Sequence, residues 1–109
     1  MPTDLSSKTA KKSTLKSSNN KKQKELFIER VEKWSTSIGV HYVSVQFRSM
    51  TNKWASCSSK GRLTFDSNLL TKPKRFQDEV IVHELLHLRY PHHNTMFKQM
   101  FRIYLKKKI

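Results

Sequence analysis

The stretch Val80-Ile81-Val82-His83-Glu84-Leu85-Leu86-His87 decides how this chain is read. Its aliphatic residues place it in a core, where two histidines without a shared task would be poorly satisfied. On a helix, residues four apart project from one face a turn apart, so His83 and His87 can hold one metal ion. Glu84 lies ~100° further round the axis, near enough to act on a water without taking a ligand position. Zinc held by neutral imidazoles lowers the pKa of its water to ~7, and an adjacent carboxylate can accept the proton. The expected chemistry is hydrolysis, with Glu84 as general base.

A catalytic zinc site normally draws three ligands from the protein. No Asp or Glu follows Glu84, so a downstream ligand has to be a histidine, which leaves the pair His92 and His93 just past Pro91. His93 stands ten residues after His83, the spacing of HExxHxxGxxH sites, although Tyr90 replaces the glycine at their bend. Pro91 makes the bend here, because the residue before a proline leaves the helical region. His93 is the preferred third ligand, with His92 facing solvent or supporting the site.

Working outward, Phe27, Val31, Trp34 and Ile38 recur with helical spacing from Lys22 onward, and Gly39 supplies a left-handed cap. His41, Val43, Val45 and Phe47 alternate with polar residues and predict a half-buried strand. Residues 53–58 and 62–66 read as two further strands joined by a turn at Ser59-Lys60-Gly61. A helix over 73–89 follows, its positive end near Asp78 and Glu79, and Asn94 caps a last one. That last helix gathers Phe97, Met100, Phe101, Tyr104 and Leu105 on one face. The class is α+β, with a small three-stranded sheet packed on the helix that carries the histidines.

The 109 residues suit one domain, and 22 Lys plus Arg against 8 Asp plus Glu give a formal charge of +14. Seven lysines and one aspartate within residues 1–24 account for +6 of it. Residues 1–20 therefore read as a disordered basic tail and 21–109 as the folded domain. Lys8, Lys11, Lys12, Lys16, Lys21 and Lys22 are the candidate contacts to nucleic acid. No apolar run approaches a membrane span and no leader is visible, so a cytoplasmic monomer is expected. Cys57 is the single cysteine, which excludes an internal disulfide and suits a small half-buried thiol.

Beyond this chemistry, Trp54-Ala55-Ser56-Cys57-Ser58-Ser59-Lys60-Gly61-Arg62-Leu63-Thr64-Phe65-Asp66 resembles the W-G-S-C-S-x-x-G-x-[LI]-x-[FY]-N signature of the YgjP-like metallopeptidases. Asp78 through Leu88 is similar to their D-Y-V-[VI]-x-H-E-L-[AC]-H-L, and His93-Asn94-Thr95-Met96-Phe97 to their H-S-x-x-F. A wider kinship is with SprT-like zinc proteases. The chain departs from the pattern at Ala55, Asp66, Glu79 and Lys98. The resemblance implies a minimal zincin-like core, one zinc ion on His83, His87 and His93, and Glu84 as general base. It also implies a peptide or protein substrate received in extended form along an edge strand. Residues 53–58, with Trp54, Ser56 and Cys57, or residues 62–66 are the candidate edge.

For the oxyanion, Tyr90, His92, Arg102 and Tyr104 are candidate donors. The alternative reading is a catalytically idle zincin module that binds nucleic acid and whose zinc is structural. In that case His92 or Cys57 would close a four-ligand shell, whereas a catalytic site keeps one position open.

Overall fold

Phe27, Val31, Trp34 and Ile38 form the buried stripe of α1 (Asn20–Ile38), as their spacing predicts. The computed structural model describes residues 20–107. Along it follow β1 (Ser44–Arg48), β2 (Ala55–Cys57), β3 (Arg62–Asp66), a 3-10 turn at Ser67–Thr71, α2 (Lys74–Leu86) and α3 (Thr95–Lys106). Lys8, Lys11, Lys12 and Lys16 lie outside the described residues, while Lys21 and Lys22 are exposed on α1.

The strands form a mixed sheet in the order β1-β3-β2. β3 runs parallel to β1, with Val45 beside Leu63 and Phe47 beside Phe65, and antiparallel to β2, with Ala55 beside Phe65 and Cys57 beside Leu63. These residues share one face, and α1 and α2 pack on it. Phe27 seats its ring edge-on against Phe65 at 4.9 Å and Phe47 at 5.4 Å. The opposite face is polar, and Gln46 Nε2 donates to Thr64 Oγ1 at 3.2 Å across it.

A polar network pins α1 to the start of α2. The Arg30 guanidinium donates to Gln77 Oε1, the Lys74 carbonyl and Asp78 Oδ1, and Trp34 Nε1 donates to the same Asp78 oxygen at 3.0 Å. Gln77 Nε2 in turn donates to the carbonyls of Leu69, Leu70 and Lys72, which holds the 3-10 turn against the helix. At the other end of α1, Gly39 takes a positive φ of 83° and Arg89 donates to the Ile38 carbonyl.

Four expectations need correction. Strand pairing begins at Ser44, opposite Arg62, so His41 is exposed and Val43 is 67% exposed. Beyond that point a single bond, from the Val43 N–H to the Gly61 carbonyl at 2.7 Å, joins the chain to the turn that opens β3. Residues 62–66 are the central strand with a neighbour on each side and cannot offer an edge. α2 stops at Leu86, since Leu88 and Arg89 bond the carbonyls three residues back and tighten the last turn. Asp78 and Glu79 pair with Arg30 and Arg75 instead of lying at the positive end of α2. The 3-10 turn, capped by Asp66 accepting from the Asn68 N–H, has no counterpart in the sequence reading.

Candidate metal centre

α2 and the bend after it bring three imidazoles to one point. His83 is fully buried on α2, and His87 sits on its last, tightened turn and is half-buried. Pro91 starts the return of the chain, and Asn94 caps α3 by accepting from the Phe97 N–H at 3.0 Å. His93, between those two, is thereby delivered opposite α2, with its Nε2 3.1 Å from His83 Nε2 and 3.0 Å from His87 Nε2.

The second ring nitrogens of His83 and His87 are engaged. His83 Nδ1 faces Glu84 Oε2 at 3.2 Å. His87 hydrogen-bonds the backbone of Pro91, which has only a carbonyl to offer, so the ring donates. A neutral imidazole has one N–H; placed on Nδ1 in both rings, it leaves the Nε2 lone pairs directed at the common point. Converging lone pairs repel unless a cation lies between them. Four-coordinate zinc with bonds of ~2.0–2.1 Å separates its nitrogens by about 3.3 Å, a few tenths of an ångström more than is seen here. The three residues therefore fit a divalent metal, and among the described residues no fourth His, Cys, Asp or Glu joins the group.

Burial holds the His87 imidazole below its ordinary value of 6.5, opposed by the Glu84 carboxylate, so it is neutral and ready to ligate near pH 7. Phe97 supports the whole cluster, its ring centroid 5.3, 4.9 and 4.8 Å from those of His83, His87 and His93. Glu84 is 2% exposed, and its charge reaches Cys57 on β2. Burial, with the Glu84 charge as second cause, pushes the Cys57 thiol up to about 11. β2 packs on α2 and is an edge of the sheet; Cys57 feels the Glu84 charge, while Ser56 pairs with Thr64 on the opposite, polar face.

His92 is exposed, and Tyr90 is half-buried against the core. Tyr104 carries Lys107 over its ring at 5.2 Å, and Arg102 is exposed. Trp54 is a core residue, with Phe76 at 5.4 Å and Lys72 above its ring. Sequence reasoning missed the Pro91 carbonyl as the partner of His87 and Phe97 as the floor under all three rings. Pro91 was legible as a breaker and Phe97 as a core residue, but their closeness to the histidines was not.

A helix that presents two histidines and a glutamate, a third histidine from the following bend and a small covering sheet together define a metallopeptidase-type core. A family model for the YgjP-like metallopeptidase domain matches residues 3–107, and the chain belongs to that family. The fold is similar to the crystal structure of the metallopeptidase zymogen abylysin of Pyrococcus abyssi. The TM-score is 0.63 at 23% identity, over 69% of this chain and 75% of that one. No curated protein matches the chain by sequence. The family departures leave the three nitrogens untouched: Ala55 and Asp66 are buried, Glu79 pairs with Arg75, and Lys98 is exposed.

Proposed function

We propose that the chain is a zinc peptidase in which His83, His87 and His93 hold the metal and Glu84 is the general base. The observation that carries this reading is a three-histidine group with no fourth protein ligand among the described residues, the pattern of a catalytic site. A zinc ion bound there supplies Lewis acidity that brings the pKa of a water to about 7. Every other contribution comes from the chain itself. The Glu84 carboxylate holds His83 in the ligating tautomer through one oxygen, and its second oxygen makes no hydrogen bond with a described residue. Glu84 accepts the proton of the attacking water and returns it to the amine nitrogen as the C–N bond breaks. The free edge of β2 pairs with the substrate backbone and aligns the scissile carbonyl beside α2. Tyr90, His92, Arg102 and Tyr104 are candidate donors to the oxyanion.

Zinc content and hydrolysis of a fluorogenic peptide library test the reading together. The His83→Ala, His87→Ala double variant loses stoichiometric zinc, whereas Glu84→Gln keeps it and lowers turnover by at least about 100-fold. Zinc retained in the double variant, or turnover retained in Glu84→Gln, would refute the assignment.

A further inference from the structure

Nine residues before His83 on α2, about 13 Å along the axis, Lys74 opens a groove that the metal centre does not use. The groove encloses about 810 Å³ between α1, the first turn of α2 and the end of α3. Arg30, Lys33, Lys72, Lys74, Arg75 and Lys107 line it, against Glu29 and Asp78. Asp78 is engaged by Arg30 and Trp34, while Lys33 and Lys74 form no ion pair with a described residue. The groove is therefore strongly positive.

The position of two of these cations is informative. Lys74 and Arg75 occupy the first turn of α2, which holds no acidic residue and has no side-chain cap at Pro73. A helix dipole disfavours cations there, and the exposed carbonyls that favour them lie at the opposite end. The pair with Glu79 one turn on accounts locally for Arg75, but nothing of that kind accounts for Lys74, whereas attraction of an anion to the groove suits both.

We propose that this groove binds the phosphate backbone of a single-stranded nucleic acid without regard to base sequence. Four of the six cations are lysines, compact point charges on flexible stems, and they come from separate elements spread along the groove. That arrangement suits the evenly spaced charges of a polymer; a carboxylate partner is better held by a paired arginine fork. The groove cations are part of a chain charge of +14, and the lysines before Asn20 precede in sequence the α1 turn whose Gln23 and Leu26 line the same groove.

The test is anisotropy of a labelled 20-nucleotide single strand titrated with the full chain at several salt concentrations. The triple variant Lys33→Glu, Lys74→Glu, Arg75→Glu is expected to weaken binding at least tenfold and to flatten the salt slope by about two, near 0.7 per lost contact. All three residues are exposed; a glutamate at position 74 suits the helix start and one at 75 gives up only the exposed pair with Glu79, so a Tm close to wild type separates lost binding from unfolding. The Lys33→Gln, Lys74→Gln, Arg75→Gln variant should show a smaller loss of the same kind. A control reversal at Lys60, Arg62 and Lys98, exposed and outside the groove, is expected to cost less than threefold. Equal losses from the two reversals would overturn the proposal. So would competition by polyglutamate as strong as by unlabelled strand, or full loss of binding in a Lys8→Gln, Lys11→Gln, Lys12→Gln, Lys16→Gln chain. Glu84→Gln should bind the strand like wild type, so this outcome is independent of the peptidase reading.

Discussion

Phe97 is the residue on which the most geometry converges, since its ring touches all three histidines. Phe97→Ala is expected to cost about 3–5 kcal/mol of stability in urea unfolding. It should also weaken zinc binding at least tenfold in chelator competition, by freeing the rings. Phe97→Leu retains most of the stability, and if it also retains full zinc affinity, the orienting role of the ring is disproved. Cys57 carries a different lesson. Its thiol stays protonated until pH approaches about 11, so at pH 8 it reacts with iodoacetamide about 100-fold more slowly than the same thiol in urea. Equal rates would show that neither burial nor Glu84 governs it. The folded thiol is raised, so it contributes stability in full below the unfolded value of 9 and loses it as pH rises towards 11.

Between elements, the attachment of α1 to α2 rests on Asp78. Asp78→Ala leaves the Arg30 guanidinium and the Trp34 N–H without their shared acceptor in a partly buried position. The expected loss is about 1–3 kcal/mol, read from the urea midpoint, with zinc content unchanged because the network lies at the far end of α2. The turn between β2 and β3 rests on Gly61, at φ 91°, where a Cβ would come 3.2 Å from the Val43 nitrogen. Gly61→Ala should therefore destabilise by about 1–3 kcal/mol; a neutral result would mean that β1 can shift away from the turn.

Across the whole molecule, pH would link folding to the proposed metal binding. The imidazole of His87 is depressed in the folded chain and ordinary in the unfolded one, so below about 6.5 the unfolded chain takes up a proton that the folded chain refuses. Metal-free protein should thus lose stability as pH falls from 7 through 6, and zinc affinity should fall in the same window. Urea midpoints at pH 7.5 and 5.5 measure this, and a flat profile for His87→Asn would assign the effect. Among the described residues no helix is long and apolar enough to cross a membrane.

The sequence by itself determined the order of the main helices and strands and which residues are on hand as donors. The periodicity of Phe27, Val31, Trp34 and Ile38 fixed α1, the His83 and His87 spacing fixed a shared helix face, and the absence of acid after Glu84 left histidine for the third donor. These are local properties, set by backbone period and residue type. Tertiary structure alone decided what stands next to what. It put β3 in the centre of the sheet, so that β2 is the edge beside α2. It turned Val43 out to solvent, engaged His87 with the Pro91 backbone, set Phe97 beneath the histidines, and gathered cations from three helices and a connector into one groove. Each of these depends on contacts between residues remote in the chain, and no period or spacing in a single segment encodes such contacts.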